Sequence, residues 1–200
     1  MLDELLHRVR GYSPRLLGTD GNFPEAAVLV PITRSDAPEV VLTLRASGLS
    51  THGGEVAFPG GRRDPEDPDL IRTALREAEE EIGLPPGLVE VVGPLSTLVS
   101  RHGIQVTPYV GLVPDFVEYQ PNDGEIAAVF SVPLAFFCED VRETTHRIDY
   151  QGHSWYVPSY RYGDYKIWGL TAIMLVELVN LVYDAGIELH RPPAHFITLS

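Results

Sequence analysis

The sequence predicts an α+β fold: one domain in which a mixed β-sheet lies between helices. Three observations predict it. The chain has 200 residues, a length that suits one domain over residues 1–200 with an N-terminal and a C-terminal helix packed on it. Apolar residues make up 44% and charged residues 22%, an ordinary globular composition. The patterned segments run strands, helix, strands, helix, with no internal repeat, low-complexity stretch or linker between them.

Each element has its own signal. Residues 3–9 read as a short helix. Ala26–Pro31 and Val40–Leu44 are short apolar or β-branched runs around the turn-like RSDAPE, which predicts two strands. Gly48–Gly61 is glycine-rich and reads as irregular. A helix follows. Asp67 is a good N-cap, and Pro68 suits the first helical position. Ile71, Ala74, Leu75, Ala78 and Ile82 form its apolar stripe, and Gly83 with Pro85 and Pro86 ends it. Val89–Val92, Leu95–Val99, Ile104–Val113 and Ile126–Val132 read as strands, Arg142–Val157 as a hairpin, and Ile167–Tyr183 as a second long helix.

Charge and cysteine usage exclude several functions. The net charge is −13, and such a surface repels nucleic-acid phosphates. No apolar run is long enough to cross a membrane. The first residues, MLDELLHRVRGY, mix charged and apolar side chains, unlike a secretory signal. Cys138 is the only cysteine, which rules out an intrachain disulfide and fits a reducing, cytoplasmic setting. It follows Phe136 and Phe137, so a buried structural thiol is expected rather than a nucleophile.

The acids are clustered. From Asp64 to Glu81 there are eight acids against two bases. On a helix, Glu77, Glu80 and Glu81 project on one side, an unfavourable arrangement of like charges without a compensating cation. Carboxylate oxygens suit magnesium or manganese. A solvated acidic face is the plainer meaning of such a run, and Glu79, off this face, is expected to be solvated. Arg76 lies one turn before Glu80 and could orient a carboxylate. Upstream, Phe58-Pro59-Gly60-Gly61 permits close backbone approach, and the Gly61 carbonyl could complete a metal shell.

At these residues the chain resembles the Nudix hydrolases. Their motif is a glycine, five residues, a glutamate, seven residues, then Arg-Glu-aliphatic-X-Glu-Glu-X-Gly-aliphatic. Arg76 through Leu84 match the second half in full. The first half departs from it. Five residues separate Gly61 from Asp67, which stands where the motif has glutamate, and eight residues separate Asp67 from Arg76. No catalytic role is therefore carried to Asp67. The resemblance implies a Nudix-like α/β/α sandwich. It also implies a metal-dependent hydrolase of diphosphate linkages, with Glu77 and Glu81 as direct ligands and Glu80 as a third ligand or the holder of a water.

The longer loop resembles one branch, the coenzyme A pyrophosphatases. The similarity lies in Val41-Leu42-Thr43-Leu44-Arg45-Ala46, in Gly54 through Gly61, and in the helix start Ile167-Trp168-Gly169-Leu170-Thr171-Ala172. It spans about residues 26–180. At Ser50 the branch often carries a basic residue. The implied reaction is water attack on the diphosphate of coenzyme A or its thioesters, giving 3′,5′-ADP and 4′-phosphopantetheine or its acyl form. Coenzyme A also carries a 3′-phosphate, so further cations are needed, and Arg45, His52, Arg62 and Arg63 are the candidates. A general base is also required. Family members use either a helix glutamate or an acid from a later loop, and Glu125, before Val132-Pro133-Leu134, fits the second option.

Other readings stay open at this level. ADP-ribose, a dinucleotide or a nucleoside triphosphate could be the substrate. A non-catalytic nucleotide-binding module is a further alternative, against which the intact Glu77, Glu80 and Glu81 speak. Ile173–Leu181 suits core packing or a homodimer surface. Tyr150, Trp155, Tyr156, Tyr160, Tyr162 and Tyr165 could stack on adenine or simply pair across strands.

Overall fold

A computed structural model describes residues 2–16, 23–48, 53–150 and 152–193, with Tyr150 described by its backbone alone. Helix α1 (Leu2–Gly11) is followed by strands β1 (Glu25–Thr33), β2 (Glu39–Arg45), β3 (Val56–Ala57) and β4 (Gly60–Arg62). Helix α2 (Leu70–Ile82) leads into β5 (Glu90–Pro94), β6 (Leu98–Val99), β7 (Gln105–Val113) and β8 (Ile126–Pro133). A short helix α3 (Ala135–Cys138) precedes β9 (Thr144–Tyr150), β10 (His153–Tyr162), β11 (Tyr165–Ile167) and helix α4 (Gly169–Tyr183).

The main sheet is mixed, as expected. β1 and β7 run parallel at its centre, paired from Glu25↔Gln105 to Thr33↔Val113, while β2, β4, β5, β6 and β8 pair antiparallel to their neighbours. Residues of β1 alternate between two cores, as the pleat requires. Ala27 and Leu29 face α2, where Ala74, Ala78 and Ile82 pack on them. Val30 and Ile32 face the opposite core, which α1 and α4 cover with Leu5, Val9, Leu175 and Leu178. Helices thus flank the sheet on both sides. β9, β10 and β11 form a separate antiparallel sheet. The Ile173–Leu181 stretch belongs largely to the intrachain core.

One irregularity of the sheet positions the site. β1 and β2 pair at Ile32↔Val40, and residues 56–62 then join both strands. β3 pairs with β2, and β4 pairs with β1. The glycine-rich segment expected to be irregular therefore carries two short strands, and Phe58-Pro59 links them.

Helix α2 begins later than its sequence suggests. Asp69 is the N-cap, accepting from Arg72 N at 2.8 Å, so neither Asp67 nor Pro68 has its expected place. Ile71 falls off the buried stripe and is exposed, while Thr73 is fully buried. Gly83 ends the helix as expected, with φ +66° and its N–H on Glu79 O. Three further boundaries move. Leu95 lies outside the strand that begins at Leu98, the hairpin extends to Tyr162 with β11 added, and Ile167 closes β11 before α4 starts at Gly169.

Candidate active site

The site forms where α2 crosses the Phe58–Gly61 segment. Glu81 is buried, with 3% of its side chain exposed. Its Oε2 accepts from Gly60 N at 3.0 Å, and its Oε1 accepts from Arg45 Nη1 at 3.2 Å. Burial pushes its pKa up to about 7, against the lowering effects of the Gly60 N–H and Arg45; Glu77 and Glu125 push the same way as burial. Glu77 lies one turn earlier, and its carboxylate presses on Gly61. A Cβ at that glycine would fall 2.5 Å from the Glu77 carboxyl carbon. Burial also raises the pKa of Glu77, Arg76 lowers it, and Glu80 and Glu125 raise it. Glu77, Glu81 and Glu125 therefore share one electrostatic neighbourhood although Glu125 comes from β8's entry turn.

That turn is fastened at two points. Asn122 N donates to Glu81 O at 2.8 Å, and Ala46 N donates to Glu125 O at 2.8 Å. The Asn122 side chain reaches Glu125 Oε1 at 3.4 Å. Glu80 is the most exposed of the three helix acids, at 58%, and Glu79 is exposed too, as expected.

Arg76 organises the helix carboxylates. Its Nη1 donates to Glu77 Oε1 at 3.0 Å and to Glu80 Oε2 at 3.2 Å. Its Nη2 donates to Asp67 Oδ2 at 2.9 Å and to Arg62 O at 3.1 Å. Asp67, which sequence reasoning gave only a capping role, is 5% exposed and anchors this guanidinium. It also accepts from Thr73 Oγ1 at 2.9 Å and Asp64 N at 3.0 Å. Arg76 holds the Asp67 carboxyl well below the usual carboxylate range. The missed signal was an acid nine residues before the motif arginine.

We expect Asp67→Ala to cost about 3 kcal/mol, because it leaves a largely buried guanidinium without its main partner. The folded pKa of Asp67 lies below its ordinary 3.8. Its contribution is therefore fully present above that value and is lost as pH falls through the folded pKa. Urea titrations of the two proteins should differ at pH 7 and converge in acid.

The proposed substrate cations separate. Arg45 lines a groove beside Gly60, Gly61 and Arg62, and its Nε is buried with no partner among the described residues. A buried unpaired donor is costly, and a phosphate oxygen would satisfy it. Arg62 has an exposed side chain. Arg63 is engaged in the fold, pairing with Glu25 at 3.0 Å and donating to the carbonyls of Asp67 and Pro68. His52 and Ser50 lie outside the described residues. The groove holds about 2200 Å³, well above the roughly 300–1,000 Å³ of a common small-molecule site. It runs from Arg45 to β6, β10 and α4, elements whose meeting no local sequence pattern announces.

The NUDIX domain family matches residues 23–155. The chain belongs to the Nudix family. A protein of Enterobacter sp. (strain 638), described as the uncharacterized Nudix hydrolase NudL, is 41% identical over 177 residues, covering 88% of this chain and 92% of that protein. Its counterpart from Yersinia enterocolitica is 40% identical over 190 residues, covering 90% and 93%. Among solved structures, the MutT/nudix family protein of Enterococcus faecalis gives a TM-score of 0.53 at 16% identity, over 92% of this chain and 70% of that one. That likeness concerns the fold.

This Nudix chain is a hydrolase, and Nudix hydrolases generally use divalent ions such as magnesium or manganese. The residues present fit such an ion. Glu77 and Glu81 offer hard oxygen donors, and Gly61 leaves no side chain between backbone and carboxylate. Among the described residues, no three histidine, cysteine or acidic side chains form a complete metal cage.

The remaining sequence candidates of this Nudix domain have structural places. Cys138 is half-buried, with Sγ 3.6 Å from Leu134 O, and burial pushes its thiol pKa up. Tyr160 is fully buried and donates to Asp140 Oδ1 at 3.0 Å, and Tyr165 stacks on Phe130 at 3.7 Å. Among the described residues, no helix is long and apolar enough to cross a membrane.

Proposed function

We propose that this Nudix hydrolase cleaves the diphosphate of coenzyme A or its thioesters, releasing 3′,5′-ADP and 4′-phosphopantetheine or its acyl form. One observation carries the reading: the buried Glu81 and the half-buried Glu77 meet Gly60–Gly61 beside Arg45, whose Nε has no partner among the described residues. Glu77 and Glu81, with the Gly61 carbonyl, would hold magnesium or manganese, and the exposed Glu80 would hold a water of that ion. Such an ion supplies charge neutralisation at diphosphate oxygens and lowers the pKa of water. Arg45 binds a phosphate oxygen through its Nε, which has no partner among the described residues, and exposed Arg62 extends the cationic side of the groove. Glu125 takes the proton of the attacking water as the new P–O bond forms and the bridging P–O bond breaks. Arg76 keeps Glu77 and Glu80 oriented and touches no substrate.

The coenzyme assignment is supported by the Leu42-Thr43-Leu44-Arg45 run, the lengthened loop and the size of the groove. The single cysteine suits a cytoplasmic place of action. A substrate panel with magnesium, its products identified by mass, tests it. Coenzyme A and its thioesters should give 3′,5′-ADP faster than ADP-ribose, NADH, dinucleotides or nucleoside triphosphates are cut. Much faster cleavage of ADP-ribose or NADH would overturn the coenzyme assignment.

A further inference from the structure

Three exposed large apolar side chains, Phe23, Ile148 and Trp168, line the same groove that starts at the glycine loop. Exposed apolar groups gathered in a concave surface mark a ligand wall, whereas scattered ones are ordinary surface. Trp168 is the most informative of them. It joins β11 to α4, and 36% of it remains exposed. It is also tied to the catalytic segment. Thr171, in the first turn of α4, is buried and donates to Val56 O at 3.2 Å, and Val56 opens the short run that ends in Gly60-Gly61.

Cationic and imidazole groups flank the ring. Lys166 Nζ lies 5.5 Å from its centroid, and the His146 ring lies at 5.4 Å with a 49° tilt. Lys166 forms no ion pair among the described residues. Lys166 lies over the indole and also acts through space on Glu143, and 36% of Trp168 stays exposed in the groove, where a planar, negatively charged ligand can reach both. Trp155, on the same wall, is covered more fully, with His190 4.3 Å from its ring.

We propose that Trp168 is the platform on which the nucleobase of the diphosphate substrate stacks, with Lys166 facing the phosphate on its ribose. This rests on the reading of the substrate as an adenosine diphosphate derivative, and it adds a recognition residue far in sequence from the motif. Aromatic faces hold bases by stacking, and a nearby ammonium adds attraction to phosphate.

The test uses the full chain and the variants Trp168→Leu, Trp168→Phe and Lys166→Gln. With magnesium and coenzyme A, Trp168→Leu should raise KM about tenfold while kcat stays unchanged, and Trp168→Phe should restore most of the loss. Independently of turnover, 3′,5′-ADP should quench tryptophan emission in the wild type. That quench should disappear in Trp168→Phe, where Trp155 still emits. Lys166→Gln should weaken 3′,5′-ADP more than 5′-AMP. If coenzyme A is not cleaved but adenosine nucleotides still give the Trp168-dependent quench, the platform stands and only the coenzyme assignment falls. An unchanged KM and an unchanged quench in the Trp168 variants would overturn the platform.

Discussion

Glu81→Gln is expected to lower magnesium-dependent turnover by roughly a thousandfold or more while leaving the fold at least as stable. The two effects separate because of where Glu81 sits. It is 3% exposed, and burial lifts its pKa from the ordinary 4.5 to about 7. For a carboxyl raised in the folded state, the stability present below the unfolded value is lost as pH rises through the folded one. In cation-free protein, ionised Glu81 therefore opposes folding above about pH 7. A neutral amide removes that opposition. Its oxygen still accepts from Gly60 N, and only the contact with Arg45 is lost. Thermal melts without added metal at pH 8 should place the variant at or above the wild type. Glu77→Gln should lose turnover similarly, since Glu77 is the other proposed direct ligand. Near-normal magnesium-dependent activity in either variant would contradict the assignment.

The paired glycines should give opposite outcomes to one substitution. A Cβ at Gly60 would lie 2.4 Å from Ala27 O and 2.6 Å from Val28 Cα. Those are backbone atoms of the central strand, so β4 must pull away from β1. We expect Gly60→Ala to cost about 3 kcal/mol and to remove the Gly60 N–H from Glu81. A Cβ at Gly61 would meet only the end of the Glu77 side chain, at 2.5 Å. That side chain can swing, so Gly61→Ala should keep most of its stability. Activity should fall at least about a hundredfold, because the displaced carboxylate is the proposed ligand. Urea denaturation and initial rates, measured on both variants, separate the two. Equal stability loss in both would show that the Glu77–Gly61 contact is a packing feature rather than part of the site.

The carboxylate face was legible because helical spacing alone puts Glu77, Glu80 and Glu81 together. The sheet was legible too, since β1, β2, β7 and β8 carry long apolar or β-branched runs. Asp67 was misread for a local reason. Asp67-Pro68 and Asp69 both satisfy the grammar of a helix start, and tertiary contacts with Thr73 and Arg76 draw Asp67 away from the cap. Those contacts also explain why Thr73 is buried while Ile71 is exposed. The link between Arg45 and Glu81 spans 36 residues and depends on how β3 and β4 bridge the two strands. The groove required β6, β10 and α4 to meet, which is a property of topology that periodicity does not encode. Glu125 was legible through the resemblance. Its fastening to Ala46 and, through Asn122, to Glu81 was not, because backbone groups leave no mark in sequence.

The central claim is that Glu77 and Glu81 hold the divalent ion on which hydrolysis depends. The most direct measurement is manganese binding followed by electron paramagnetic resonance, for the wild type and for Glu77→Gln and Glu81→Gln at equal protein concentration. The account predicts saturable loss of the free manganese signal in the wild type, reversed by excess magnesium, and binding weakened at least about tenfold in each variant. Wild-type-like manganese affinity in both variants would contradict it.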